Sequence, residues 1–393
     1  MEGAIDSSQS RPPVKRPAAE KPRAAGPLSN PRQAGQQVKL SDVAAAAGVA
    51  PMTVSRVLNT PERVSVATAQ RVRAAIEQLG YVPNLVAGGL SSRRTRMVAA
   101  IVPTMAHPMF AELVQAFTNV LRAQGYEVML SLSGYDTVSE APLVRAVLAR
   151  RPDALLLTGA RHDAPTRQML ADAAIPVVEV FDATRRPIDM LVGLDHAAVG
   201  NAVAAYLRAK GHQRFAVFAA SDTRARLRGA AFAQAVRRDG GTLLAETVIP
   251  APSTIMAGRM ALRALLPELT EGLSPALPQS LTPAGAQTDA QTGGETPRVN
   301  GQAVALFCSS DLVAFGALLE ARANGVAVPE RLAVCGFGDF ELSAASDPPF
   351  TTVTLEGARA GRHAATFLLE RLAGATDQRR VLVPFRIIER ASS

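Results

Sequence analysis

The sequence predicts an α/β protein: a small helix-turn-helix unit near the N-terminus, followed by a doubly wound α/β core made of two similar subdomains. Three observations carry this. Residues 38–81 hold three short amphipathic helical patterns broken by turn residues, Gly48 among them. From Met97 onward, short continuous apolar runs alternate with amphipathic segments, as in parallel strands covered by helices on both faces. The alternation then begins again after about residue 210, so two subdomains are expected.

Taken in order, residues 1–36 are rich in Pro, Ala, Ser and basic side chains, cannot bury a core, and are expected to form a disordered basic tail. Residues 37–83 are the helical unit. Ser41 can cap its first helix, with Asp42 in the first turn, and "DVAAAAGV" ends near Gly48. "APMTVSRVLN" is the second helix, with Val54, Val57 and Leu58 facing inward. "SVATAQRVRAAIEQLGY" is the third, with Val66, Ala69, Val72, Ile76 and Leu79 as its buried stripe. Helices this short are marginal alone and must pack on one another. Residues 84–96 read as a linker or hinge, and residues 97–393 as the core. There, "MVAAIVP", "EVMLSLS", "ALLLTG" and "PVVEVFD" form the first series of strands, with helices beginning near Pro108, Val138 and Pro165. "RFAVFAA", "TLLAETVIP", "AVALFCSS" and "RLAVCGF" form the second. Residues 267–302, rich in Pro, Gly, Thr and Gln, interrupt this pattern as a surface insertion.

Charge is unevenly placed. Of the chain's 42 Lys and Arg and 34 Asp and Glu, residues 1–96 hold 14 and 6, leaving 28 of each for the rest. The whole excess of +8 thus lies beside the helical unit, which suggests a polyanion partner for that part; a solubilising tail would account for some of it. No apolar run is long enough for a membrane span, and the polar, basic N-terminus is unlike a secretory signal. Cys308 and Cys335 fit no metal spacing and suit buried thiols in a reducing compartment, so a cytoplasmic protein without a metal or cofactor is expected. No GxSxG, HExxH, P-loop or phosphate-binding GxGxxG is present, which argues against an enzyme.

"VKLSDVAAAAGVAPMTVSRVLN", "VSVATAQRV" and "GYVPNLVAGGL" resemble the DNA-binding headpiece of the lac repressor family of bacterial transcription regulators. The resemblance continues through "FAELV", "AKGHQRFAVF", "SSDLVAFGAL" and "VCGFGDF", over roughly residues 38–390. "IPVVEVFD" and "VGLD" are most similar to gluconate-responsive members. The resemblance implies a periplasmic-binding-protein-like core and a homodimer on a palindromic operator. It also implies release by a small sugar or sugar acid, gluconate first, with a neutral sugar or other metabolite as the alternative. A transport-type sugar-binding protein shares this core but would lack the headpiece.

The same resemblance assigns roles. In the headpiece, Ser41, Pro51, Met52, Thr53, Ser55, Arg56 and Asn59 match DNA-contacting positions. Met52 offers only apolar contact, whereas Arg56 can pair with guanine or hold a phosphate. In the hinge these are Asn84, Leu90, which would wedge into the minor groove, and Arg93 and Arg94, which would meet phosphates. Gly88 and Gly89 stand where helix-favouring residues are usual, each costing about 1 kcal/mol in a helix. In the cleft between subdomains, Phe110, Thr158, Arg226 and Asp311 match effector-binding positions, with Glu179 and His162 as further candidates for the cleft. Phe110 reads equally as core, Arg226 could give way to Arg224 or Arg228, and Asp311 could serve only as a helix-terminal carboxylate.

Overall fold

The computed structural model describes residues 38–82, 94–135, 140–270 and 303–393. It divides into two units, residues 1–91 and 92–393.

The first unit holds α1 (Leu40–Ala47), α2 (Pro51–Asn59) and α3 (Val66–Leu79). Lys39, not Ser41, is the residue before α1. The Asp42 carboxylate turns back to accept the Lys39 N–H at 2.8 Å, satisfying an end donor, and Ser41 sits exposed in the first turn. Gly48 closes α1 at φ 63°, a left-handed conformation that glycine adopts freely, and Pro51 opens α2. Val43, Ala44, Ala47, Val54, Val57, Ala69, Val72 and Ala75 form a small buried core. Ile76, Leu79 and Leu58 pack against it, but Val66 is 74% exposed. Val66 is the first residue of α3, and the buried stripe begins one turn later at Ala69.

The second unit contains two six-stranded sheets. The first subdomain runs β1 (Met97–Val102), α4 (Pro108–Arg122), β2 (Glu127–Leu132), α5 (Glu140–Leu148), β3 (Ala154–Thr158), α6 (Ala164–Ala173), β4 (Val177–Val180) and β5 (Met190–Gly193). The second runs α7 (His196–Ala209), β6 (Arg214–Ala220), α8 (Thr223–Arg238), β7 (Thr242–Ile249), α9 (Ile255–Thr270), β8 (Val304–Cys308), α10 (Asp311–Ala323), β9 (Leu332–Phe337), α11 (Glu341–Ala345) and β10 (Thr351–Leu355). The chain then returns to the first subdomain for α12 (Gly357–Leu372) and β11 (Arg380–Leu382), and ends its strands with β12 (Phe385–Ile388) in the second. Strand orders are β11-β5-β4-β3-β1-β2 and β12-β10-β9-β8-β6-β7, all parallel except the β10–β12 pair. The chain therefore crosses between subdomains three times, after β5, β10 and β11.

All eight apolar runs named from the sequence are strands, and the interior ones are buried on both faces, as a covered parallel sheet requires. β5, β10, β11 and β12 are additional. The start expected near Val138 lies outside the described residues, and α5 is described from Glu140. The insertion starts later than composition suggests. α9 continues through Pro267 to Thr270, because Leu262, Leu265 and Leu269 keep burying one face. The two subdomains are stiffened by close helix pairs. A Cβ on Gly361 of α12 would stand 2.3 Å from the Leu113 carbonyl of α4, so only glycine permits that approach.

Candidate functional site

Two sites emerge, one in each unit. In the headpiece, α2 turns Val54 and Val57 inward and presents Pro51, Met52, Arg56 and Asn59 to solvent; Met52 is 63% exposed. Spacings of four residues place 51, 55 and 59 on one face and 52 and 56 beside it. Thr53 and Ser55 are half-buried. The Asn59 side chain donates to the Ser55 carbonyl at 3.0 Å, which steadies the end of this face. The result is a short helix with an apolar inner side and an outer side carrying a guanidinium, hydroxyls, an amide and a methionine. Those groups suit base edges and phosphates. Asn84, Leu90 and Arg93 lie outside the described residues. Arg94 belongs to the second unit, where its guanidinium donates to the Leu372 carbonyl at the end of α12, 2.7 Å away.

In the second unit a cleft opens where strand ends meet, the place where ligands bind in open α/β sheets. Its walls come from both subdomains: Pro103, Ser133–Tyr135, Glu140, Thr158, Arg161 and Asp182 from the first, Asp222–Arg224 from the second. Thr158 is the last residue of β3 and lines the cleft, and its buried hydroxyl has no hydrogen-bond partner among the described residues. After β4 the chain makes a sharp turn. Phe181 takes φ 68°, unusual for a non-glycine residue, and is held there by its N–H to the Val192 carbonyl and its carbonyl to His196. The turn aims Asp182 at the cleft. One Asp182 oxygen accepts the Ala160 N–H at 3.0 Å; the other has no hydrogen-bond partner among the described residues.

Beside Asp182 lies a basic cluster. His196, at the start of α7, stands 3.9 Å from Asp182 through Nε2 and 2.9 Å from the Arg228 guanidinium through Nδ1. Burial, then the charge of Arg228, holds its pKa well below the usual histidine value, so the ring is neutral. Arg228 must donate to Nδ1, so the proton sits on Nε2 and is given to the Phe181 carbonyl at 2.7 Å. Arg228 is buried, donates also to the Ser309 carbonyl, and lies 3.7 Å from the Phe337 ring centre. Burial lowers its pKa to about 10, leaving it charged at neutral pH. No carboxylate lies within 4.0 Å of it or of Arg224 among the described residues. Arg224 sits over the Phe110 ring at 5.7 Å, and close beside Gly159. His107, kept neutral by burial with a pKa of about 4, packs on Phe110 and Phe340.

The other predicted effector residues are placed differently. Phe110 is buried beneath Arg224, so it serves as packing and supports that side chain at once. Arg226 is exposed. On α8, residues 224 and 228 are one turn apart and share a face, whereas 226 points away from both. Asp311 is fully buried, and both its oxygens are occupied: one accepts the Phe340 N–H at 2.8 Å, the other the Thr352 hydroxyl at 2.5 Å. It latches the loop after β9. Glu179 is also fully buried and accepts the Ile188 N–H at 2.6 Å, away from the cleft. Asp182, His196 and Glu140 are the residues that sequence alone does not single out. Asp182 does carry a signal, an aspartate closing the apolar run "PVVEVF".

Comparison with known proteins agrees with this two-part geometry. Residues 39–84 match the model for bacterial regulatory proteins of the lacI family. Residues 95–269 match periplasmic binding proteins and the sugar binding domain of the LacI family, and residues 204–393 a periplasmic binding protein-like domain. The chain is 35% identical over 350 residues to the HTH-type transcriptional regulator GntR of Pseudomonas aeruginosa, spanning 88% of this chain and 92% of that protein. It is 30% identical over 336 residues to GntR of Escherichia coli, spanning 85% and 92%. A LacI-family regulator from Silicibacter pomeroyi superposes with a TM-score of 0.77 at 28% identity, covering 90% of this chain and 99% of that one. The lac repressor dimer bound to operator shares the fold, at 24% identity and a TM-score of 0.71. The chain belongs to the lacI family of bacterial regulatory proteins, and is a transcriptional regulator with a helix-turn-helix headpiece and a periplasmic-binding-protein-like core. No helix among the described residues is long and apolar enough to cross a membrane.

Proposed function

We propose that the protein is a homodimeric repressor that binds a palindromic operator and leaves it when a sugar acid, gluconate first, enters the cleft. One observation carries the choice of an acid: Arg228 is a buried, charged guanidinium with no carboxylate within 4.0 Å among the described residues. The carboxylates that act on it, Asp222 and Asp182, do so only from beyond 4.0 Å, so the buried charge stays costly, and a ligand carboxylate brought in beside the cleft-lining Arg224 would relieve that cost. Across the His196 ring, Asp182 and Thr158 offer oxygens suited to ligand hydroxyls. A ligand with an acid at one end and hydroxyls along its chain meets both demands; a neutral sugar meets only the second. The likeness to GntR proteins supports the same reading. Exposed apolar side chains on the edge strands β2 and β7 (Leu132 and Val248) and on α9 (Met256, Met260) support self-association. Release from the operator would work by the ligand's differential affinity for two subdomain arrangements, needing only a few kcal/mol.

Calorimetric titration of the full chain with D-gluconate and D-glucose tests this. Gluconate is expected to bind at one site per chain and glucose at least tenfold more weakly. Glucose binding as tight as gluconate would overturn the acid reading.

A further inference from the structure

We propose that Glu140, oriented by His162 and Glu179, is a specificity-determining residue of the cleft: it accepts from hydroxyls at the far end of a sugar acid and turns away ligands that carry a second carboxylate there. The inference rests on the sugar-acid reading above.

The geometry is a row of three side chains. Glu179, a residue of β4, is fully buried, with one oxygen fixed by the Ile188 N–H at 2.6 Å. Its other oxygen lies 3.2 Å from His162 Nε2, and His162 Nδ1 lies 2.7 Å from Glu140 Oε1. The His162 side chain is 1% exposed and that of Glu140 15%. The row therefore begins in the core and ends at the cleft wall, where Glu140 lines the same space as Thr158, Asp182 and Arg224. Burial alone would lower the His162 pKa, but its contacts with the two carboxylates outweigh burial and raise it to about 9. Of the two carboxylates on either side of His162, Glu140 is the one that lines the cleft, whereas Glu179 is fully buried.

A loop pin would need none of this reach. His162 and Asp163 could hold the loop after β3 through Glu179 and the α6 cap alone. Glu140 adds a carboxylate with one oxygen immobilised by His162 and the other without a partner among the described residues. A glutamate held in this way has already lost its rotamer freedom, so accepting a ligand hydroxyl costs less. A carboxylate oxygen only accepts, so it favours hydroxyls and repels a ligand carboxylate. The acid end of the ligand is then directed to Arg228 and Arg224, and the polyol end to Glu140. A monoacid such as gluconate satisfies both ends, whereas its diacid counterpart, glucarate, places a charge against Glu140.

Calorimetric titration of full-length wild-type protein and the Glu140→Gln and Glu140→Ala variants with D-gluconate and D-glucarate tests the assignment, with thermal melts taken alongside. Wild type should favour gluconate by about tenfold or more, the scale of one hydrogen bond to a charged group. Either variant should shrink that ratio toward one, because both remove the repulsion of glucarate and alanine also removes an acceptor for gluconate. Equal losses for both ligands, or an unchanged ratio, would overturn the assignment and leave Glu140 a structural pin. Wild-type protein that binds neither acid would overturn the sugar-acid reading itself, and this inference with it.

Discussion

Replacing Asp311 with asparagine separates a ligand contact from an internal latch. The carboxylate is fully buried, and burial raises its pKa from the ordinary 3.8 to about 7, against the pull of the Thr352 hydroxyl and the Phe340 N–H. A raised carboxyl pKa means that the folded protein binds more protons than the unfolded chain between these two values. Stability from this group is therefore greatest below about pH 4, falls as pH rises toward 7, and is flat beyond. The slope is at most about 1.4 kcal/mol per pH unit, so the full span amounts to a few kcal/mol. Asparagine has no proton to lose and keeps an oxygen for one donor and an amide for the Thr352 oxygen. Urea unfolding of wild type and Asp311→Asn, followed by circular dichroism from pH 4.5 to 8, should show the variant gaining on wild type by this amount as pH rises. Gluconate affinity should change less than about threefold, because no Asp311 oxygen is left for a ligand. Parallel stability curves combined with a large loss of gluconate affinity would refute the latch and return Asp311 to the ligand.

Three further outcomes are expected. Arg228→Ala should weaken gluconate binding by about 10- to 100-fold, the scale of one or two charge-assisted hydrogen bonds, and leave effector-free operator binding unchanged, as gel-shift and calorimetry would report. Arg56→Ala, on the outer face of α2, should lower operator affinity. The salt slope should fall by about one if the guanidinium holds a phosphate, and discrimination should fall by about 1–3 kcal/mol if it reads a guanine. Gly361→Ala should lower the melting temperature, since its Cβ would meet the Leu113 carbonyl at 2.3 Å and the Phe117 nitrogen at 3.0 Å. Overpacking of this kind costs about 1–3 kcal/mol.

Much of the fold is legible because burial on both faces leaves an unbroken apolar run, which is how β1, β3, β4, β8 and β9 announce themselves. β5, β11 and β12 are only three or four residues long, and their pairing depends on crossings between subdomains that no local pattern records. The headpiece is legible almost to the residue; Val66 departs because it precedes the first buried turn of α3. The cleft is legible only where a residue closes a strand. Thr158 does so, and Asp182 stands two residues past the end of β4. Arg228 was within reach of helical periodicity, since 224 and 228 share a face that excludes 226. Glu179 and Asp311 carry the right chemistry in the right neighbourhood, but their oxygens are claimed by Ile188, Phe340 and Thr352. Those donors are 9, 29 and 41 residues away in sequence and are visible only once the chain has folded.

The central claim is that an acid ligand in the cleft removes the headpiece from DNA. The most direct measurement is operator binding by the full chain at fixed salt, using a palindromic site found near its own gene, with and without gluconate. The account predicts tight, salt-sensitive binding that gluconate abolishes and glucose does not. Operator binding that is indifferent to gluconate would contradict it.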